Sequence, residues 1–232
     1  MSESQSTPQE RYQYKPFVGS SHTWALSQLS TLPTSARVLD VGIGDAMLAR
    51  TLKSNGITQL WGVDIDAAAR AAAKDVYVDT YHSVAELENK TFDVILLLDV
   101  LEHMADPFAF FAEAVGRLSP GGTLLVSVPN VAHWSLRLSL AFGIWQYTER
   151  GLLDKTHLHF FTRRHFFELL ASQKSLVLKS SAGSISPAEF VLPKWISGSL
   201  FFRVFSNFRW HGAQLFPGLC AYQHLARLER GK

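Results

Sequence analysis

The sequence predicts an α/β domain built on a mostly parallel sheet, and three observations carry that reading. From Arg37 to Asn130, short apolar β-prone runs alternate with segments of helical spacing, the pattern of βαβ units. One of those runs, Phe92 to Leu98, is almost wholly apolar, as a strand covered on both faces should be. Hydrophobic residues make up 47% of the 232 positions and charged residues 18%, enough material for a large core. The length suits one domain: a polar tail over 1–11, a single domain over 12–232, and an insertion at 184–216.

Each element can be justified in order. Arg37 to Val41 is apolar and β-prone, and Asp45 to Asn55 has helical spacing with Leu48 and Leu52 on one face and Gly56 placed to end it. Leu60 to Ile65 is a second buried strand, Asp66 to Lys74 an alanine-rich helix, and Val76 to Asp79 a short strand. Asp106 before Pro107 is an N-cap with proline at the first helical position, for a helix to about Leu118. Ser119 to Gly122 reads as a turn and Thr123 to Val128 as another buried strand. Beyond it, Val131 to Ile144 has helical spacing, with Trp134, Leu138 and Phe142 on one face. Thr162 can cap a helix from Arg163 to about Gln173, and Leu176 to Ser180 and Leu219 to Leu228 read as strands, the last returning to the sheet.

The formal charge of +2 is too small to imply nucleic acid. Cys220 is the single cysteine, which rules out an internal disulfide and suits a reducing compartment. Met1 to Gln9 lacks the apolar core of a signal peptide, and no apolar run is long enough to span a bilayer, so a cytoplasmic location is expected.

The most informative loop is Val38-Leu-Asp-Val-Gly-Ile-Gly-Asp-Ala46, which leaves the first strand and enters a helix. Gly42 and Gly44 allow a sharp turn and close approach of a ligand. Asp64 lies 22 residues after Gly42 at the end of the second strand, about the spacing at which an acid accepts the ribose hydroxyls of an adenosine. A dinucleotide loop would place glycine or alanine three residues after the second glycine, where this chain has Met47. Asp40 and Asp45 would also repel a pyrophosphate. They suit a ligand carrying a sulfonium and an ammonium group. A nicotinamide oxidoreductase is disfavoured on both counts.

VLDVGIGDA, WGVDID, FDVILLLDVLEHMADP and LSPGGTLLVSVPN resemble, in order and spacing, the motifs of class I S-adenosylmethionine-dependent methyltransferases. The nearest likeness is to the small-molecule group of ubiquinone-pathway and bacterial polysaccharide or natural-product enzymes. The resemblance spans roughly Tyr12 to Gln173 and includes the segment Glu149 to Thr162. It implies a Rossmann-like fold: a seven-stranded, mostly parallel sheet with a reversed last strand, helices on both faces and, here, an aromatic cap insertion. It implies S-adenosyl-L-methionine as cofactor, held by Asp40, Gly42, Gly44, Asp64 and the following Ile65. Asp79 falls at the adenine-side acid, and Asp99 at the methionine and active-site end. Ala46 stands where the family usually has a third glycine.

Methyl transfer needs a nucleophile aligned with an already activated carbon, plus a base if a hydroxyl is the acceptor. The candidates are His103, on the turn after the fourth strand beside Glu102, and His157 with His159, which would share a face if they lay in a strand, with Asp154 just upstream. Each could instead be structural. In some ubiquinone-pathway relatives the DVLEH segment contributes to a metal site. No metal is assigned to this sequence, because a third ligand cannot be placed. His133 is a weaker candidate, Asn130 could position an acceptor, and Tyr12, Tyr14 and His22 precede the first strand where a segment could fold over the cofactor.

The stretch 184–216 is rich in aromatic residues, including Trp195, Phe201, Phe202, Phe205, Phe208 and Trp210, interleaved with Lys194, Arg203 and Arg209. It reads as a lid over the acceptor site, a surface for peripheral membrane contact, or a cap that packs on the domain or forms a homodimer interface. The function predicted is methyl transfer to a small-molecule or lipid-linked acceptor, at oxygen. The alternative is a methyltransferase-like module that binds S-adenosylmethionine without turnover.

Overall fold

The computed structural model describes residues 17–187, 193–197 and 199–231. Tyr12, Tyr14 and the polar tail lie outside the described residues. Seven strands form one sheet in the order β3-β2-β1-β4-β5-β7-β6. β1 (Val38–Val41), β2 (Leu60–Val63), β3 (Asp79–Tyr81), β4 (Phe92–Leu98) and β5 (Leu118–Pro129) are parallel. β7 (Gln223–Arg230) runs antiparallel between β5 and β6 (Leu176–Gly183). β1 pairs with both β2 and β4, so strand order reverses between β1 and β4 and opens a crevice at their carboxyl ends.

The central strands are apolar because both faces are covered. On one face Leu39, Ile95, Leu97, Leu124 and Val126 pack with α4 (Pro107–Gly116) and α6 (Arg163–Ala171), through Phe111, Phe166 and Leu169. On the other, Val38, Val94, Leu96 and Leu125 meet Ala25 of α1 (Ser21–Gln28) and Leu48 and Leu52 of α2 (Met47–Ser54). The two caps expected at Asp106 and Thr162 form, and Asp66 adds a third. Asp66 starts α3 (Ala67–Ala72), Asp106 Oδ1 accepts from the N–H groups of Phe108 and Ala109 at 3.0 Å, and Thr162 Oγ1 accepts from His165 N at 3.3 Å.

Four boundaries differ most from the sequence reading. The third strand is 79–81, not 76–79, because the N–H groups of Val76 and Tyr77 are taken by the Ala73 carbonyl as the chain unwinds from α3. Ser119 to Gly122 lies within β5. Phe92 pairs with Leu118 and Val94 with Thr123, so these residues bulge out of a continuing strand. The helix expected over Val131 to Ile144 is α5 (Trp134–Ala141), and its aligned Trp134, Leu138 and Phe142 face water at 53%, 53% and 75% exposure. Finally, the last strand starts at Gln223, after the insertion has closed.

That insertion carries α7 (Lys194–Ser197), α8 (Leu200–Leu215) and α9 (Pro217–Cys220). α8 is tied to the end of β6 by a two-way bond, Gln214 Nε2 donating to Gly183 O at 2.7 Å and Gly183 N to Gln214 Oε1 at 3.1 Å. Gly183 is needed there, since a Cβ would lie 2.6 Å from both Ala213 O and the Ala221 Cβ. Among the described residues no helix is long and apolar enough to cross a membrane.

Candidate functional site

The glycine loop leaves β1 with three residues of positive φ: Gly42 at 82°, Gly44 at 53° and Ala46 at 56°. Gly42 N donates to Val63 O at 2.8 Å, and a Cβ on Gly42 would sit 3.0 Å from Val100 Cγ2. Asp64 reaches back from the end of β2. Its Oδ2 accepts from Gly44 N at 3.2 Å and its Oδ1 from Asp66 N at 2.8 Å, so the acid and the loop brace one another. Ile65, next along, is 79% exposed and offers an apolar surface at that rim.

Asp40 lies beneath the loop, 5% exposed, and accepts a hydrogen bond from Tyr77 Oη at 2.7 Å. Burial pushes its carboxyl up to about 7; the Tyr77 bond pulls the other way, while the Asp64 and Asp45 charges push further up. A cation nearby would favour the ionised form. Ile43 packs its Cδ1 where a Gly62 Cβ would meet it at 2.7 Å, against Tyr77. Tyr77 was not singled out in the sequence because its partner is 37 residues away. Asp79 is not brought to this rim. It begins β3 opposite Trp61, while Tyr81, opposite Val63, marks the carboxyl end.

Asp99 ends β4 at φ 57°, a strained setting for a residue with a Cβ. Its surroundings hold it. Ser127 Oγ donates to Oδ1 at 2.7 Å, Asp99 N donates to Ser127 Oγ at 3.0 Å, and Gln223 Nε2 donates to Oδ2. Gln223 Oε1 in turn accepts from Ser184 Oγ at 2.8 Å. Ser127, Gln223 and Ser184 are all buried. The first was legible as a hydroxyl in an otherwise apolar strand. Gln223, backed by Ser184, meets Asp99 only after the chain returns from the insertion.

Past Asp99, a single 3₁₀ turn (Leu101–His103) presents Glu102 and His103. The Glu102 carbonyl accepts from Leu158 N at 2.8 Å and His159 N at 3.0 Å, which docks the 154–160 segment on this turn. The consequence is a cluster in which one donor atom each of Glu102, His103 and His157 lies within 4.8 Å of the others. The His103 and His157 rings are 4.9 Å apart, centroid to centroid, and His103 Nδ1 lies 3.2 Å from Thr156 O. Burial, then the neighbouring His103, holds the His157 imidazole below its usual range, with Asp154 opposing. Burial thus favours the neutral imidazole at His157. The third ligand that the sequence could not place beside Glu102 and His103 is His157; one carboxylate, 1% exposed, and two imidazoles suit a divalent cation.

The other candidates do not join this cluster. His159 is not in a strand, and its Nε2 is 3.1 Å from Ala105 O, a brace to the backbone. His133 caps α5. Asn130 is fully buried, with Nδ2 donating to Ala221 O at 2.8 Å and Oδ1 accepting from Ala132 N at 3.0 Å, so its amide is spent on structure. His22 lies on α1.

A nucleoside-type loop and a cluster of proton-handling groups thus share one edge of the sheet, the layout of a class I S-adenosylmethionine-dependent methyltransferase. Residues 21–173 match the methyltransferase-domain family, and the chain belongs to that family, with S-adenosylmethionine as its cofactor. Among its relatives, the ubiquinone biosynthesis O-methyltransferase of Paramagnetospirillum magneticum is 29% identical over 156 residues, 63% of this chain and 61% of that protein. The enzyme of the same name from Bradyrhizobium sp. ORS 278 is 30% identical over 162 residues, 65% of this chain and 62% of that one. The alignments span less than two thirds of these relatives. Among solved structures, the N-methyltransferase NodS from Bradyrhizobium japonicum WM9 in complex with S-adenosyl-L-homocysteine superposes at a TM-score of 0.57 with 15% identity, over 91% of this chain and 86% of that one, a likeness of fold.

Proposed function

We propose that the chain transfers the methyl group of S-adenosylmethionine to a hydroxyl oxygen of a small, largely apolar or lipid-linked acceptor. The observation that carries this reading is the meeting of Glu102, His103 and His157 beside Asp99, at the edge where Asp40, Gly42, Gly44 and Asp64 would hold the cofactor. An attacking hydroxyl must lose its proton, and a neutral imidazole at His157 can take it. His103 positions His157 by ring contact, and His159 only anchors the segment that delivers it. The names of the relatives, O-methyltransferases both, support oxygen as the atom modified. A divalent cation held by Glu102, His103 and His157 would lower the pKa of an acceptor hydroxyl at the same place.

The test is release of S-adenosylhomocysteine with a panel of phenols, catechols and primary amines. Turnover is expected on hydroxyl acceptors. His157→Ala should lower kcat about 100-fold or more while calorimetric affinity for S-adenosylhomocysteine stays unchanged; His159→Ala should stay within about threefold, a loss under 1 kcal/mol. Loss of turnover in chelator, restored by a divalent cation, would assign the cluster to a metal. Turnover on amines alone would overturn the oxygen assignment. Tight cofactor binding with no turnover on any acceptor would favour the alternative of a binding module.

A further inference from the structure

Two segments lie above the acceptor end of the sheet, and both turn apolar side chains toward water. α5 follows β5 at its carboxyl end. The stretch 184–222 links the carboxyl end of β6 to the start of antiparallel β7, so its described ends meet the same edge. They touch: Arg137 Nη2 donates to Gly218 O at 3.4 Å, and Asn130 bonds Ala221. On the first segment Trp134, Leu138 and Phe142 are more than half exposed. On α8, Leu200, Val204, Phe208 and Leu215 are 75%, 62%, 75% and 74% exposed. Their spacing of four, four and seven residues puts them on one helix face. The other face is spent on the fold, with Phe202 and Ala213 buried and Arg209 bonded to Ser186. An apolar stripe left in water on two neighbouring elements marks an interaction surface.

Charge says what covers it. Residues 131–147 and 184–222 contain one acid, Glu189, against Arg137, Lys194, Arg203 and Arg209, a net +3, whereas the rest of the chain is net −1. Tryptophans at 134, 145, 195 and 210 fall in the same two stretches. Tryptophan, exposed aliphatic residues and cations that outnumber acids four to one are the chemistry that meets an anionic lipid surface. We propose that α5 and the outer face of α8 dock on an anionic membrane, bringing the mouth of the site to the bilayer so that an apolar acceptor enters without crossing water. This rests on the acceptor reading above, but its test does not depend on turnover.

The full chain is floated with vesicles of phosphatidylcholine alone or mixed with phosphatidylglycerol, alongside size-exclusion chromatography. Wild type should partition onto the anionic vesicles about tenfold better, as one or two basic contacts provide, and added salt should weaken it. Leu138→Asp with Phe208→Asp should cut binding about tenfold or more, the scale of two carboxylates placed at the interface, with S-adenosylhomocysteine affinity unchanged. Three outcomes would overturn the proposal. Wild type could remain unbound, the double variant could float as well as wild type, or wild type could elute as a dimer that the double variant dissolves, which would show a second copy on this face.

Discussion

At Ala46 the backbone adopts φ 56° in a buried turn, a geometry that costs a residue with a Cβ about 1–2 kcal/mol. This gives a physical reason for glycine at that place in the resembling family. Ala46→Gly should therefore raise stability by roughly 0.5–1 kcal/mol after the added freedom of the unfolded chain is counted. The melting temperature should rise by about 2–3 °C, and an unchanged or lower value in calorimetry would refute the strain. Asp64 carries a different load, since its carboxylate braces Gly44 and Asp66 and its spacing from Gly42 makes it the proposed acceptor of the ribose hydroxyls. Asp64→Ala should raise the cofactor dissociation constant tenfold or more, as loss of charge-assisted bonds of about 1.5–3 kcal/mol implies; equal affinity by calorimetry would remove it from the site. The glycine turn at Gly42 and Gly44 was readable because it follows from short-range order, and its acid neighbours Asp40 and Asp64 were proposed for the cofactor on spacing alone. Tyr77 and Gln223 were not, because a hydrogen bond across 37 or 124 residues leaves no local mark.

Among the elements, β7 carries a titratable group in an apolar setting. His224 is 1% exposed and stacks on Phe166 of α6 with ring centroids 6.0 Å apart, and neither ring nitrogen has a hydrogen-bond partner among the described residues. Burial, then the Arg163 charge, lowers its pKa to about 4. The unfolded chain binds a proton there near pH 6.5 while the fold refuses it until about 4. Stability is thus full above 6.5 and is lost as pH falls toward 4, by up to roughly 3 kcal/mol. His224→Phe should flatten that decline in urea titrations between pH 7 and 4; a variant with the wild-type slope would sink the assignment. Helix caps and the central strands were legible in sequence because they rest on spacing within one element. The outward face of α5 was not, since periodicity shows that Trp134, Leu138 and Phe142 align but not which way they point. Nor was the bulge at Ser119 to Gly122, where a turn-like sequence is held in register by β4.

Across the whole molecule, two motifs far apart in the chain make one site. LEH after β4 and DKTHLH before α6 meet because the Glu102 carbonyl takes two N–H groups from the later segment. Each was visible alone, but their union was not, so His157 and His159 looked equivalent when only His157 reaches His103. The sheet order has a further effect. β6 is held to the sheet only through β7, and β7 also covers the flank of β5. During synthesis the strand that joins them is made after every other strand of the sheet. Until Gln223 to Arg230 leave the ribosome, β5 keeps an open apolar edge, the kind of surface to which chaperones bind and along which chains aggregate. The nascent protein therefore has its cofactor loop in hand well before it has a closed sheet.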